Sequence, residues 1–159
     1  LLRSTLMMFG EKFGKDGPIR VVKEFDKSIP ELLCYPGDLN QVWTNIIDNA
    51  IQAMNGRGTL TVRTARENDG MVRVEICDDG PGIPAEIVDR IFTPFFTTKP
   101  FGEGTGLGLD LAWRIVAEKH QGNLRVESRP GDTRFIVLLP MVAPAPEAPT
   151  PVELPAAAE

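Results

Sequence analysis

Hydrophobic positions along this chain switch between two periods, and the switches predict its elements. Leu1, Leu2, Leu6, Phe9 and Phe13 recur at helical spacing until Gly14 and Gly17-Pro18 break the run, which predicts the end of a longer amphipathic helix. Leu39, Val42, Trp43, Ile46, Ile47, Ala50 and Met54 fill one broad helical face. Asp38, with Gln41 three positions on, predicts a capping box at the start of that helix. At about 100° per residue, Asp38, Asn45, Asn49 and Gln52 fall on a narrow stripe where the helix leaves the core. Asn55-Gly56-Arg57-Gly58 ends it.

Shorter segments read as strands: 19–25, 32–35, 59–64, 71–77, 123–127 and 133–139. In the fourth of these Val72, Val74 and Ile76 alternate with Arg73 and Glu75, which predicts a half-buried hairpin. A short helix is expected from Pro84 and a longer one over 107–121. Residues 92–103 show no period and contain two prolines and a glycine, so they read as a long loop. Pro130-Gly131 marks a turn between the last two strands. Strands and helices in this order predict an α/β fold: a two-layer sandwich with one mixed, mostly antiparallel sheet and helices packed on a single face.

Composition narrows the function classes. The 159 residues suit one domain with a proper core, with 42% hydrophobic and 25% charged residues. A net charge of -5 with only short Lys/Arg clusters argues against a nucleic-acid partner. No apolar run approaches the ~20 residues of a bilayer span, so no membrane contact is expected of this segment. Cys34 and Cys77 are expected to be free thiols in a reducing, cytoplasmic setting. A start at Leu1 rather than Met suggests a fragment. From residue 142 onward Pro, Ala and Glu dominate, and a disordered tail or linker is expected over 142–159.

The candidate chemistry lies in three polar or glycine-rich clusters. In Asn45-Ile-Ile-Asp-Asn49, two amides one helical turn apart share a face, and an amide oxygen suits a Mg²⁺ whose other ligands are phosphates and waters. In Asp78-Asp79-Gly80-Pro81-Gly82, a carboxylate at a strand end can accept a hydrogen bond from an exocyclic amine, and the glycines allow close backbone approach. In Gly102-Glu-Gly104-Thr105-Gly106-Leu107-Gly108, glycine-freed amides precede a helix start that favours anions. Taken singly, each has a plain alternative: surface amides, a solvated Asp-Gly turn, a flexible linker. The third run fails the G-x-G-x-x-G pattern at Leu109, and no G-x-x-x-x-G-K-[ST] occurs. Between the clusters, Phe92, Phe95 and Phe96 read as loop anchors, and Lys99 is either a phosphate contact or a solvated cation. His120, the sole histidine, reads as structural at a helix end.

In this order the motifs resemble the ATP-binding catalytic domain of two-component sensor histidine kinases, within the wider group of gyrase, HSP90 and MutL ATPases. Residues 41–53 resemble the N box, 78–82 the first glycine box, 92–99 the phenylalanine box and 102–109 the second glycine box; the likeness covers about 21–140. It implies the Bergerat sandwich, with 1–16 as the end of a dimerisation and phosphotransfer hairpin helix and 17–141 as the catalytic domain. It implies ATP and Mg²⁺ as ligands. Asn49 would ligate the ion, and Asn45 would contact phosphate or the ion's shell. Asp78, with Gly80, Gly82 and Ile83, would hold adenine, and Thr133 would assist through water. Thr98, Lys99, Gly104, Thr105, Gly106, Leu107 and Gly108 would hold the triphosphate under a lid over 92–103. Asn45 and Lys99 are the catalytic candidates.

The ATPase branches of the group carry a glutamate base where Asn45 stands, and an amide cannot take a proton from water. The implied reaction is therefore transfer of the γ-phosphoryl group to a histidine, with a homodimeric hairpin as donor of that histidine and a response-regulator receiver downstream. His120 lacks the acidic neighbour of the family's phosphoacceptor. Many members also carry a basic residue near Gln52, so a phosphate contact is either missing here or supplied by Lys99 or Arg57. An anti-sigma-type serine kinase and a non-catalytic nucleotide-binding module are the alternatives.

Overall fold

The computed structural model describes residues 2–10, 13, 17–29, 34–67, 70–94, 96 and 108–141. Five strands form one sheet in the order β1-β2-β3-β5-β4. They are β1 (Ile19–Glu24), β2 (Gly58–Glu67), β3 (Met71–Asp78), β4 (Asn123–Arg129) and β5 (Asp132–Pro140). Only β1 and β2 run parallel; such a pair needs a crossover, and α2 (Pro36–Ala53) lies between them in sequence. The other three pairings are antiparallel.

One face of the sheet carries the core. Leu60, Val62, Val72, Val74, Ile76, Phe135, Val137 and Leu139 pack against the buried stripe of α2. Ala112, Ile115 and Val116 join them from α3 (Gly108–Arg114) and the π-helical turn Ile115–Lys119 that continues it. The predicted two-layer architecture is the observed one.

Several local expectations change. The first helix, α1 (Leu2–Met8), stops before Gly10 instead of reaching Phe13. It is not detached: Leu6 belongs to the core, and the buried Thr5 hydroxyl bonds to Asn40 Oδ1 on α2. Asp38 does not cap α2. Pro36 at the first helical position presets φ, so the helix begins three residues earlier with extended Tyr35 as N-cap and no side-chain cap bond. The Asp38 carboxylate pairs with Lys119 instead. After Pro84 only a 3-10 turn, Val88–Arg90, forms. Cys34 and Tyr35 are not in a strand, and residues 30–33 of that expected segment lie outside the described residues.

The largest departure concerns the outer face of the sheet. Alternation predicted a solvated face at Arg73 and Glu75, yet Glu75 is buried among Arg63, Arg73 and Arg134. Arg134 also holds Asp132, and Arg63 holds Glu24 at 2.6 Å. Long arginine stems can cover apolar surface while their heads stay paired, and Ile136 and Cys77 on this face are buried. Burial pushes the Cys77 thiol up to about 11, which leaves it an inert thiol.

Candidate nucleotide-binding site

Register brings the first group of polar residues together. Leu60 pairs with Asp78, Asp78 with Thr133, and Thr133 with Ser128, so one row crosses β2, β3, β5 and β4 on the core-facing side. Directly paired residues share a face. Asp78 is 4% exposed and Thr133 3%. One Asp78 oxygen accepts the Gly80 N–H at 2.9 Å; the other takes no hydrogen bond from any described residue. Burial raises the Asp78 carboxyl above the ordinary carboxylate range; the Gly80 N–H pulls it back, while the Asp79 and Asp132 charges add to the rise.

The Gly80-Pro81-Gly82 turn is held against this row at both ends. Gly131 N–H donates to the Gly80 carbonyl at 2.8 Å, and Ile83 N–H donates to Ser128 Oγ at 2.8 Å. Ser128 Oγ in turn lies 2.7 Å from Thr133 Oγ1. Gly82 has φ +92, and a Cβ there would stand 2.9 Å from the Arg129 carbonyl. A Cβ on Gly80 would stand 3.0 Å from the Ala53 carbonyl. So the turn lies directly on the last residue of α2, with no room for a side chain.

The other end of the site is fixed by the same helix. Asn45 Nδ2 donates to the Gly108 carbonyl at 2.9 Å, and Asn45 Oδ1 accepts from Gln41 Nε2 at 2.8 Å. Thus α2 touches the end of the second glycine run at Asn45 and the first glycine turn at Ala53. Eight residues of helix separate them by about 12 Å. Asn49 sits halfway, partly exposed, and its amide makes no hydrogen bond to any described residue. No group of three or more acidic, His or Cys side chains gathers among the described residues. A Mg²⁺ here would therefore lean on the Asn49 amide oxygen, phosphate and water, a donor set that suits a hard cation.

Two phenylalanines, Phe92 and Phe96, anchor the described part of the 92–103 segment. Phe92 stacks edge-on against buried Phe135 at 6.3 Å between centroids, and Arg90 lies over the Phe96 ring. Thr98, Lys99, Gly104, Thr105, Gly106 and Leu107 lie outside the described residues, as does Phe95. His120 is buried with both ring nitrogens engaged. Nε2 accepts the Tyr35 N–H at 3.0 Å and Nδ1 contacts the Ile115 carbonyl at 2.9 Å, which fixes the neutral Nδ1–H tautomer. It latches the start of α2 to the end of the α3 segment, as a structural residue. Ser128 is the site residue that sequence reasoning missed. The available signal was the turn: a two-residue Pro130-Gly131 loop sets Arg129 opposite Asp132 and hence Ser128 opposite Thr133.

Residues 34–143 match the family model described as histidine kinase-, DNA gyrase B- and HSP90-like ATPase. The chain is 43% identical over 136 residues to the sensory histidine kinase/phosphatase NtrB of Rhodobacter capsulatus, an alignment covering 78% of this chain and 37% of that protein. Among solved structures it resembles the nucleotide-free catalytic domain of histidine kinase ThkA. The TM-score there is 0.78 at 32% identity, covering 89% of this chain and 90% of that one. It also resembles ThkA solved in complex with the response regulator protein TrrA, with a TM-score of 0.73 at 29% identity, covering 89% of this chain and 39% of the other.

Proposed function

The chain belongs to the histidine kinase-, DNA gyrase B- and HSP90-like ATPase family, and from that premise we propose that it binds Mg-ATP and positions the γ-phosphoryl group for transfer to a histidine on a separate dimerisation segment. The carrying observation is the span of α2: an acceptor, Asp78, sits beside the turn at its Ala53 end, and the second glycine run finishes at its Asn45 end. That arrangement suits a ligand with a base at one end and anionic groups at the other.

In this reading Asp78 accepts from the exocyclic amine of adenine, Thr133 assists beside it, and Gly80, Gly82 and Ile83 shape the wall. Asn49 holds the ion, whose chemistry is to neutralise charge on the phosphates. Asn45 steadies the phosphate end through Gly108. Thr98, Lys99, Gly104, Thr105, Gly106, Leu107 and Gly108 embrace the phosphates. Asn45 cannot serve as a general base, which favours phosphoryl transfer over hydrolysis. His120 is not the acceptor, because both of its nitrogens are engaged. With no acidic residue beside it and both nitrogens committed, the acceptor is placed on another segment.

The chain spans 37% of the NtrB relative's length, and the wider assembly is part of the proposal. It comprises residues 1–16 as the end of the hairpin helix, a homodimer through that hairpin, and a response-regulator receiver as downstream partner. The ThkA–TrrA complex supports the last of these. No helix among the described residues is long and apolar enough to cross a membrane, and a cytoplasmic setting is proposed. Calorimetric titration with ATP, with and without Mg²⁺, tests the core of this reading. Mg²⁺-dependent binding is expected, with affinity reduced at least tenfold in Asp78→Asn. A folded chain that binds no ATP would refute it.

A further inference from the structure

The Asn45 amide has a direction, and a backbone carbonyl fixes it. A carbonyl oxygen can only accept, so the Asn45 atom 2.9 Å from the Gly108 carbonyl is the donor Nδ2. The side chain also lies against the glycine itself: a Cβ on Gly108 would stand 3.8 Å from Asn45 Cγ. Oδ1 is then the atom that meets Gln41 at 2.8 Å, and it too can only accept. Gln41 must therefore present Nε2, and the relay runs one way, from Gln41 through Asn45 to Gly108. Reversing the Asn45 amide would set oxygen against the Gly108 carbonyl and one NH₂ group against another at Gln41. The two side chains are four residues apart on α2, the spacing at which helical neighbours meet.

We infer that Gln41 is a positioning residue: by engaging Asn45 Oδ1 it holds the Asn45 NH₂ group at the end of the second glycine run. This rests on the Mg-ATP reading above and deepens it, because it divides the work of the two asparagines. Nδ2 carries two protons, and the Gly108 carbonyl takes one. What Asn45 has left on that side is a donor, which suits a phosphate oxygen and not a cation. Asn49, whose amide makes no hydrogen bond to any described residue, keeps its oxygen for the ion. Gln41 touches neither phosphate nor ion; it acts through Asn45.

The test uses the 159-residue chain in two measurements. Without nucleotide, NMR of the wild type should show NOEs between the Asn45 side-chain NH₂ protons and Gly108 Hα. Gln41→Glu, at an exposed position, places a charged acceptor beside Asn45. Such bonds are roughly twice as strong as neutral ones, so the amide should reverse and those NOEs vanish. Titration then compares Mg-ATP with adenosine, which has the base but no phosphate. Gln41→Glu should weaken Mg-ATP by about fivefold, the worth of one hydrogen bond, and leave adenosine unchanged. The new charge by itself also repels phosphate, so the substitution is repeated in an Asn45→Ala background. There no more than about a twofold loss should remain at physiological salt. NOEs that persist in Gln41→Glu, no weakening of Mg-ATP, equal weakening of adenosine, or an undiminished loss in Asn45→Ala overturns the inference alone. A folded wild-type chain that shows the NOEs but binds no Mg-ATP overturns it together with the site reading.

Discussion

Asp78 is costly where it stands. Burial raises its carboxyl in the folded chain, so folding favours its protonated form. Its contribution to stability is therefore complete below the ordinary Asp value of about 3.9 and is lost as pH rises through the higher folded value. At neutral pH the ionised group opposes folding. Asp78→Asn keeps an oxygen for the Gly80 N–H and removes the charge. The ligand-free variant is expected to melt no lower than wild type at pH 7.5, with any advantage shrinking toward pH 4, even as nucleotide binding is lost. Thermal melts at the two pH values, beside the titration, check both halves; a variant clearly less stable at pH 7.5 would contradict the argument. The wild type's ATP affinity should correspondingly begin to fall above the usual Asp range as pH is lowered. Residues of this kind were legible in the sequence because an Asp ahead of Gly-Pro-Gly, or two Asn a turn apart, are conspicuous locally. Ser128 was not, since a serine among alternating strand residues looks solvated until the hairpin pairs it with Thr133.

Among the elements, the Gly80–Gly82 turn is closely fitted at both of its glycines. Gly82 and Gly131 both have positive φ, but only Gly82 is crowded, by the Arg129 carbonyl; nothing lies within 4 Å of a Cβ on Gly131. Gly131→Ala should cost about 1 kcal/mol from backbone strain alone. Gly82→Ala adds a clash with backbone, for a total of about 2–4 kcal/mol, and loosens the Ile83–Ser128 bond. Denaturant unfolding of the two variants gives the comparison, and equal losses would show that the crowding is relieved by movement. Helix and strand types were readable from periodicity because α2 and β5 each bury a continuous stripe. Boundaries failed where a local signal competed: Asp38 looks like a cap, yet Pro36 had already set the start of α2.

Among the described residues, the molecule closes its open face with a network of ion pairs rather than with a second layer of helices. Alternation could not reveal this, because the lattice joins β1, β2, β3 and β5 across the sheet, and Arg and Glu read as solvated in any single strand. Glu75 is its centre, with three arginines around it. Glu75→Gln leaves those cations facing one another over Ile136, and a loss of about 1–3 kcal/mol is expected. The gap from wild type should narrow at 1 M salt, when mutual repulsion is screened. A melt showing no difference at low salt would mean that the arginines cover the face without needing the carboxylate.

The strand order has a further meaning in time. The last strand among the described residues, β5, is not at an edge but lies between β3 and β4. During synthesis, therefore, β3 waits with one side unpaired while the ribosome adds more than fifty residues, and Asp78 waits with it for Thr133. On the proposed assignment of Asp78 and Thr133, the nascent chain cannot assemble the base end of its site piecemeal. Competence to hold a nucleotide arrives in one step as β5 slots home, so ligand capture reports on completion of the sheet.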